Sequence, residues 1–456
     1  MYNARGSISV PTMISFFLKI YQNVQDWQKK ILGTGETSKH LIKTFFLYGL
    51  IALSIIVTKV LIARLYGQTE LGIFSYFFSL VTVVFLFTSL GFPEAITQVT
   101  VKSPGKLKDG FYKSILFIIP LTGLLMIPFF TLDSLFATRG LKWNFMVYIL
   151  SYTFFYLTYS LLRGFKRFTE CSVYSLVNRI VFIMFIILFA VFSFEFNLLL
   201  MSMSLALFIA GVIALPTIFK LWKTTPQDET VETKSYVSLA ISLFLMQAGF
   251  YLLRETDNLF LPYLVGFEQQ AVYSAQASMS NIIRLIAYVF PVVVLPMAVV
   301  SKYKLRQSLI KISKLLIPFS GLILLLSYVA VPLLYGAQYA HRWLPVALVI
   351  SSTLLVVYSY LNSILVGENS ISKFYFKIIV IDFLITAIIN TGLVMVFVRY
   401  WGILGAPIAT GVTVLLKIGW NWYGIRKLRG KSEEEVISGA SENELQTDNH
   451  KKLVNL

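Results

Sequence analysis

The stretch Leu65-Tyr66-Gly67-Gln68-Thr69-Glu70-Leu71-Gly72-Ile73-Phe74-Ser75 returns 199 residues later as Leu264-Val265-Gly266-Phe267-Glu268-Gln269-Gln270-Ala271-Val272-Tyr273-Ser274. Glycine faces glycine, a small residue faces a small residue, and an aliphatic-aromatic-Ser run closes both. Two further matches keep the same order. Ser160-Leu161-Leu162-Arg163-Gly164 faces Ser363-Ile364-Leu365-Val366-Gly367 at an offset of 203, and Ala206 and Ala210 face Gly405 and Ala409 at 199. A chain that repeats itself at one long period is built from two like units.

Hydropathy says what each unit is made of. Of 456 residues, 57% are hydrophobic and 13% are charged. A soluble domain carries about 25% charge, so this chain lacks the charge to cover a water-facing surface. Its apolar residues fall in runs of the length a helix needs to cross a bilayer, about 20 residues. Such runs cover 41–64, 71–92, 111–131, 143–162, 172–194, 197–219, 236–256, 268–298, 307–333, 343–366, 374–397 and 401–424. The seventh carries Arg254, Glu255 and Asp257 at its end. The predicted fold is an all-α polytopic membrane protein of about twelve transmembrane helices, in two six-helix pseudo-symmetric lobes around a central cavity. An even number of spans separates the repeats, so the lobes share one orientation and an axis along the membrane normal. The predicted divisions are 1–40, 41–222 (the first lobe), a linker at 223–235, 236–424 (the second lobe) and 425–456.

The net charge of +17 would suggest nucleic acid in a soluble chain. Here position decides otherwise. Thirty of the 39 basic residues fall on the side of the termini, counting 93–114, 163–179, 220–235, 301–314 and 367–377 with the two ends. Six fall on the other side: Arg64, Arg139, Lys142, Arg254, Arg342 and Arg399. The positive-inside rule then places both termini in the cytoplasm, in a multi-pass protein of the cell membrane, and excludes nucleic acid as a partner. Residues 10–32 carry apolar positions at helical spacing beside Lys19, Lys29 and Lys30, the pattern of a helix lying on the membrane surface. The tail from Lys431 is polar and reads as disordered.

One cysteine, Cys171, allows no internal disulfide, and three scattered histidines offer no metal site. Walker A and GxSxG motifs are absent, as is a DxD pair for a metal-bound sugar nucleotide. No cofactor, metal or catalytic residue is expected.

Ala63-Arg64-Leu65-Tyr66-Gly67, Leu71-Gly72-Ile73-Phe74-Ser75 and Leu90-Gly91-Phe92-Pro93-Glu94-Ala95-Ile96 together resemble the first two helices of the polysaccharide-biosynthesis (Wzx-type, O-antigen) flippases of the MOP transporter superfamily. Asp257-Asn258-Leu259 with Gly266 and Val272-Tyr273-Ser274, and Gly402-Ile403-Leu404-Gly405-Ala406-Pro407-Ile408-Ala409-Thr410, resemble its second half. The resemblance covers about 40–424. Ala271 departs from it by replacing a second glycine, and Asn197-Leu198-Leu199 lacks the glycine pair of 402–405. What the resemblance implies is a transporter, not an enzyme. It would move a polyprenyl-(pyro)phosphate-linked oligosaccharide from the cytoplasmic to the outer leaflet by alternating access. The implied partners are that glycan lipid, the bilayer, a coupling cation (H+ or Na+) and other polysaccharide-assembly proteins. A multidrug exporter of the same superfamily and a membrane glycosyltransferase or polymerase are the alternatives.

A phosphate-bearing head needs a wet cavity with fixed positive charge, and ionisable residues inside spans are the candidates. Arg284 lies mid-span, and Lys59 lies deep in the first span. In related peptidoglycan-precursor flippases, arginines on the first and eighth helices line the cavity, which implies the same helix positions here. Arg64 is read as a further substrate contact or an interfacial anchor, since five residues from Lys59 place it about 140° away around the helix. Arg254, Glu255, Asp257 and Asp382 are read as gate or ion-coupling residues, with Arg254 and Asp257 spaced to pair on one helix face. Pro120, Pro128, Pro291 and Pro296 mark kinks.

Overall fold

The structure, a computed structural model, describes residues 36–131, 141–225, 230–300, 305–368 and 373–423. The helices in chain order are α1 (Glu36–Leu65), α2 (Gln68–Ser89), α3 (Phe92–Lys102), α4 (Leu107–Thr131), α5 (Lys142–Gly164), α6 (Phe168–Val191), α7 (Phe196–Thr224), α8 (Thr233–Val265), α9 (Phe267–Val300), α10 (Leu305–Leu334), α11 (Leu344–Glu368) and α12 (Lys373–Trp401). A last helix, α13, covers 405–423. No strand occurs among the described residues. Lipid offers no hydrogen bonds, so a spanning backbone must satisfy its own polar groups, and the helix does so within one segment. Eight described stretches are long and apolar enough to cross a membrane by themselves, or nine if bent α8 counts as one span. The chain is a multi-pass membrane protein. Large apolar side chains such as Leu116, Ile119 and Leu124 on α4, and Ile388 on α12, lie exposed on the outside of the bundle. In water such a surface would aggregate; in a bilayer it is the solvated one.

The twelve expected apolar runs each fall on a long helix, and the structure adds one element. Residues 92–102, expected within a connection, form α3. Pro93 sits in the first turn, Glu94 complements the N-terminus and Lys102 the C-terminus, so the end signals of a helix are all present. Eleven residues cannot cross a bilayer. The 223–235 linker is also shorter than expected, because α7 runs to Thr224 and α8 begins at Thr233. Val231, just before α8, is docked. The Val231 N–H donates to Asp109 Oδ2 at 2.6 Å, Lys113 donates to the Val231 carbonyl, and Lys113 pairs with Asp109 at 2.7 Å. The 10–32 segment and the polar tail lie outside the described residues.

Packing repeats between the halves as the sequence does. The first long helix of each half lies on the fifth (α1 on α6, α8 on α12), and the second lies on the fourth (α2 on α5, α9 on α11). The repeated glycines make the same turn. Gly67, at φ +113°, separates α1 from α2, and Gly266, at φ +86°, separates α8 from α9. Both conformations favour a residue without Cβ. Ser75 and its repeat equivalent Ser274 meet hydroxyl to hydroxyl at 2.6 Å. Equivalent points of two repeats meet only where the axis relating them passes, so that axis runs between α2 and α9. A Cβ on Gly72 would strike the Phe267 carbonyl, which is how closely the halves approach there.

Candidate functional site

Below this contact, toward the lysine-rich end of the bundle, the halves part around a cavity of about 350 Å³. α1, α2, α5 and α6 line it from one half, and α8 and α9 from the other. Five of its lining residues carry charge: Lys59, Arg179, Arg254, Glu255 and Arg284. Four are basic and one is acidic. Fixed cations this deep in an apolar bundle persist only where they face water or a partner.

Each cation is positioned differently. Arg284, only 7% exposed, donates from Nε to Ser352 Oγ of α11 at 3.0 Å, so its guanidinium is held from behind. Lys59, half-buried, donates to Ser274 Oγ at 2.8 Å across the boundary between the halves. Because Ser274 also meets Ser75, a lysine of one half and the two repeat serines form one continuous chain. Arg254 stacks on Tyr251 at 4.7 Å and pairs with Glu255 at 2.5 Å. Glu255 uses its other oxygen to accept from Ser79 of α2 at 2.7 Å. The acidic residue thus links an arginine of its own helix to the opposite half.

The sequence candidates separate here. Arg254 pairs with Glu255, not with Asp257. Asp257 points away from the cavity into the second half, where it accepts from Tyr273 and, at 3.2 Å, from Thr410 Oγ1 of α13. Arg64 does not join the cavity. Its guanidinium donates from Nε to Leu334 O at 2.8 Å and from Nη2 to Leu333 O at 2.7 Å. The cation therefore caps the C-terminus of α10, where orphan carbonyls and the helix dipole favour it. Arg179 enters the cavity from α6 and stacks over Phe78 at 5.6 Å, although sequence position grouped it with a charged connection. The signal that could have found it is its place inside the apolar run 172–194. Asp382 lies on α12 outside the residues whose side chains are described, as do Pro128, Pro291 and Pro296. Among the described residues no cluster of three or more His, Cys, Asp or Glu could hold a metal.

The end of the bundle bearing Gly67 and Gly266 is closed by contacts between the halves. Gln68 donates to the Glu268 carbonyl at 3.1 Å, Tyr76 and Tyr263 meet hydroxyl to hydroxyl at 2.6 Å, and Arg64 spans from α1 to α10. The sequence pattern of a family described as "Polysaccharide biosynthesis protein" matches residues 39–302, more than half of the chain, and includes both sides of this contact. The chain belongs to the polysaccharide biosynthesis protein family.

Solved structures agree on the architecture. The protein is similar to the lipid II flippase MurJ in its inward closed conformation, with a TM-score of 0.59, 16% identity, and coverage of 84% of this chain and 87% of that one. It is similar to an inward-facing multidrug resistance MATE family transporter of the MOP superfamily, with a TM-score of 0.55, 14% identity and 84% and 96% coverage. The Vibrio cholerae MATE transporter VcmN in its bent form scores 0.55 at 16% identity, with 86% and 98% coverage. Identities this low establish the fold: this family member has the fold of the MOP superfamily transporters. No curated protein matches the chain.

Proposed function

We propose that this protein is a flippase that carries a polyprenyl-(pyro)phosphate-linked oligosaccharide from the cytoplasmic to the outer leaflet of the cell membrane, for surface polysaccharide assembly. The observation that carries the reading is the sign of the cavity: four basic side chains against one carboxylate, on the boundary between two pseudo-symmetric halves. A phosphate gains from several cations in a low-dielectric site far more than in water. Arg284 and Arg179 offer planar forks suited to phosphate oxygens, and Lys59 offers a compact charge. The same charge opposes a cationic drug, which is why the flippase reading is preferred to a multidrug exporter. The fold also argues for transport and against a glycosyltransferase or polymerase.

Direction follows from the basic residues. The lysine-rich end faces the cytoplasm by the positive-inside rule, with both termini there. The closed end then faces outward, and the cavity takes its substrate from the cytoplasmic side. Outward release requires breaking the Lys59–Ser274–Ser75 chain and the Glu255–Ser79 bond, the gate between the halves. Arg254 assists by holding Glu255. A phosphate arriving at Lys59 competes with Ser274 for the ammonium, so substrate itself loosens the gate. Asp257 is the coupling candidate. It is a buried carboxylate that can take up H+ or Na+ among the Tyr273 and Thr410 oxygens. Asp382 is a second candidate for coupling. The membrane potential contributes about 2.3 kcal/mol per charge per 100 mV for any cavity charge that moves through the field.

The test is export. Arg284→Ala should abolish surface polymer while the protein still inserts, and full export by this variant would sink the central claim. Deletion of the gene should leave lipid-linked sugar on the cytoplasmic leaflet. A drug exporter would leave the sugar lipid unaffected.

A further inference from the structure

The cations account for a phosphate but leave the oligosaccharide without partners, and one feature of the cavity wall is not used by them. α5 carries Tyr148, Tyr152, Tyr156 and Tyr159, a spacing that places all four on one helix face. Successive rings lie 5.8 Å apart between centroids at each of the three steps. The stripe rises about 16 Å along the helix. Tyr148 is buried at its deep end, whereas Tyr152, Tyr156 and Tyr159 are half-buried. Phe85 of α2 supports Tyr152 and Tyr156 edge-on at 4.4 and 5.1 Å, and Tyr156 donates to Glu94 Oε1 at 2.9 Å.

The ladder packs along the core, and at Tyr152 it also faces the cavity. Tyr152 lines the cavity, and Tyr251 lines it from the opposite half. Arg163 stacks on Tyr159 at 5.8 Å at the lysine-rich end, and Arg254 stacks on Tyr251 at 4.7 Å at the cavity. The rings thus run from Arg163 at the lysine-rich end to Tyr152 at the cavity wall.

We infer that the α5 tyrosine ladder is a saccharide-binding strip that holds the neutral pyranose rings of the substrate while the cavity cations hold its phosphate. The C–H bonds on a pyranose face carry slight positive charge and match the negative face of an aromatic ring. Stacking of this kind demands no fixed hydrogen-bond register, so a sugar chain can advance from ring to ring. Glu94 and the tyrosine hydroxyls supply partners for sugar hydroxyls along the edge.

The inference rests on the flippase reading, and the experiment separates the two. The full-length protein in nanodiscs is titrated with farnesyl diphosphate and with farnesyl diphosphate bearing one or two pyranose rings. Wild type should bind the glycosylated probes at least ten-fold more tightly than the bare diphosphate. The Tyr152→Leu/Tyr156→Leu variant should bind the bare diphosphate within two-fold of wild type and lose the ten-fold gain. The Tyr152→Phe/Tyr156→Phe variant should keep most of it. The strip is overturned if the leucine variant keeps the gain, if it loses both probes equally, or if wild type shows no gain although Arg284→Ala weakens the bare diphosphate. Failure of wild type to bind any diphosphate would overturn the flippase reading and the strip with it.

Discussion

Single side chains decide the chemistry of this protein by their direction. Lys59 and Arg64 stand on one helix, yet one reaches into the cavity and the other caps a neighbour. His341 shows how finely a side-chain partner can be set. Its Nδ1 accepts the backbone N–H groups of Trp343 and Leu344 at 3.2 and 3.1 Å, at the start of α11. Only the neutral ring can accept there, and partial burial lowers its pKa from the ordinary 6.5. A base with a lowered folded pKa contributes stability that is fully present above pH 6.5 and lost as pH falls through the folded value. The cation would also oppose the positive end of the α11 dipole. The melting temperature of the solubilised protein should therefore fall between pH 7.5 and 5.5. His341→Asn, which caps without titrating, should remove that part of the slope. An unchanged slope in the asparagine variant would refute this role for His341.

At the scale of elements, glycines mark where the helices turn and how closely they approach. Gly91 (φ +72°) begins α3, and a Cβ there would strike the Ala240 carbonyl and the Phe244 backbone of α8. Gly266 has φ +86° with open space around it, and Gly123 lies inside α4 with open space and ordinary helical geometry. Three alanine substitutions should therefore rank in order. Gly123→Ala should be neutral or stabilising by up to about 1 kcal/mol, from helix propensity alone. Gly266→Ala should cost about 1–3 kcal/mol, because its backbone (φ +86°, ψ +166°) lies in an extended positive-φ region that essentially only glycine adopts. Gly91→Ala should cost more, because strain and collision act together and α8 must shift. Thermal denaturation in detergent checks the order, and equal losses at Gly91 and Gly266 would mean that α8 yields freely. The same elements show what the sequence could teach. Each apolar run became a long helix, because run length is recorded locally. α3 leaves no such record, because it is short and polar residues such as Thr97, Gln98 and Thr100 interrupt its apolar positions.

For the whole molecule, the contact of Ser75 with Ser274 on the pseudo-twofold axis makes the closed end testable. Cys171, buried, is the native cysteine and leaves little background. Ser75→Cys combined with Ser274→Cys should form a disulfide on mild oxidation, since the two hydroxyl oxygens stand 2.6 Å apart. On the proposed flippase reading, cells with the oxidised protein should lose surface polymer, and reductant should restore it. Continued export by the cross-linked form would exclude separation of the halves at this end as part of the cycle. Removing Cys171 as Cys171→Ser first keeps the assignment of the cross-link clean.

The sequence by itself determined the long helices, the division into two like halves, the axis between them and the family. All of these are written along the chain, as run lengths, a 199-residue period and local motifs. Only the tertiary structure decided which charges share a space. It brought Arg179 in, left Arg64 out, turned Asp257 into the second half and joined Glu255 to Ser79 across the boundary. The reason is physical. A helix in water shows its inner face through apolar periodicity. A helix in lipid is apolar toward both protein and solvent, so its sequence records that it spans but not how it is rotated. That rotation is fixed by packing against neighbours distant in sequence, and with it the lining of the cavity.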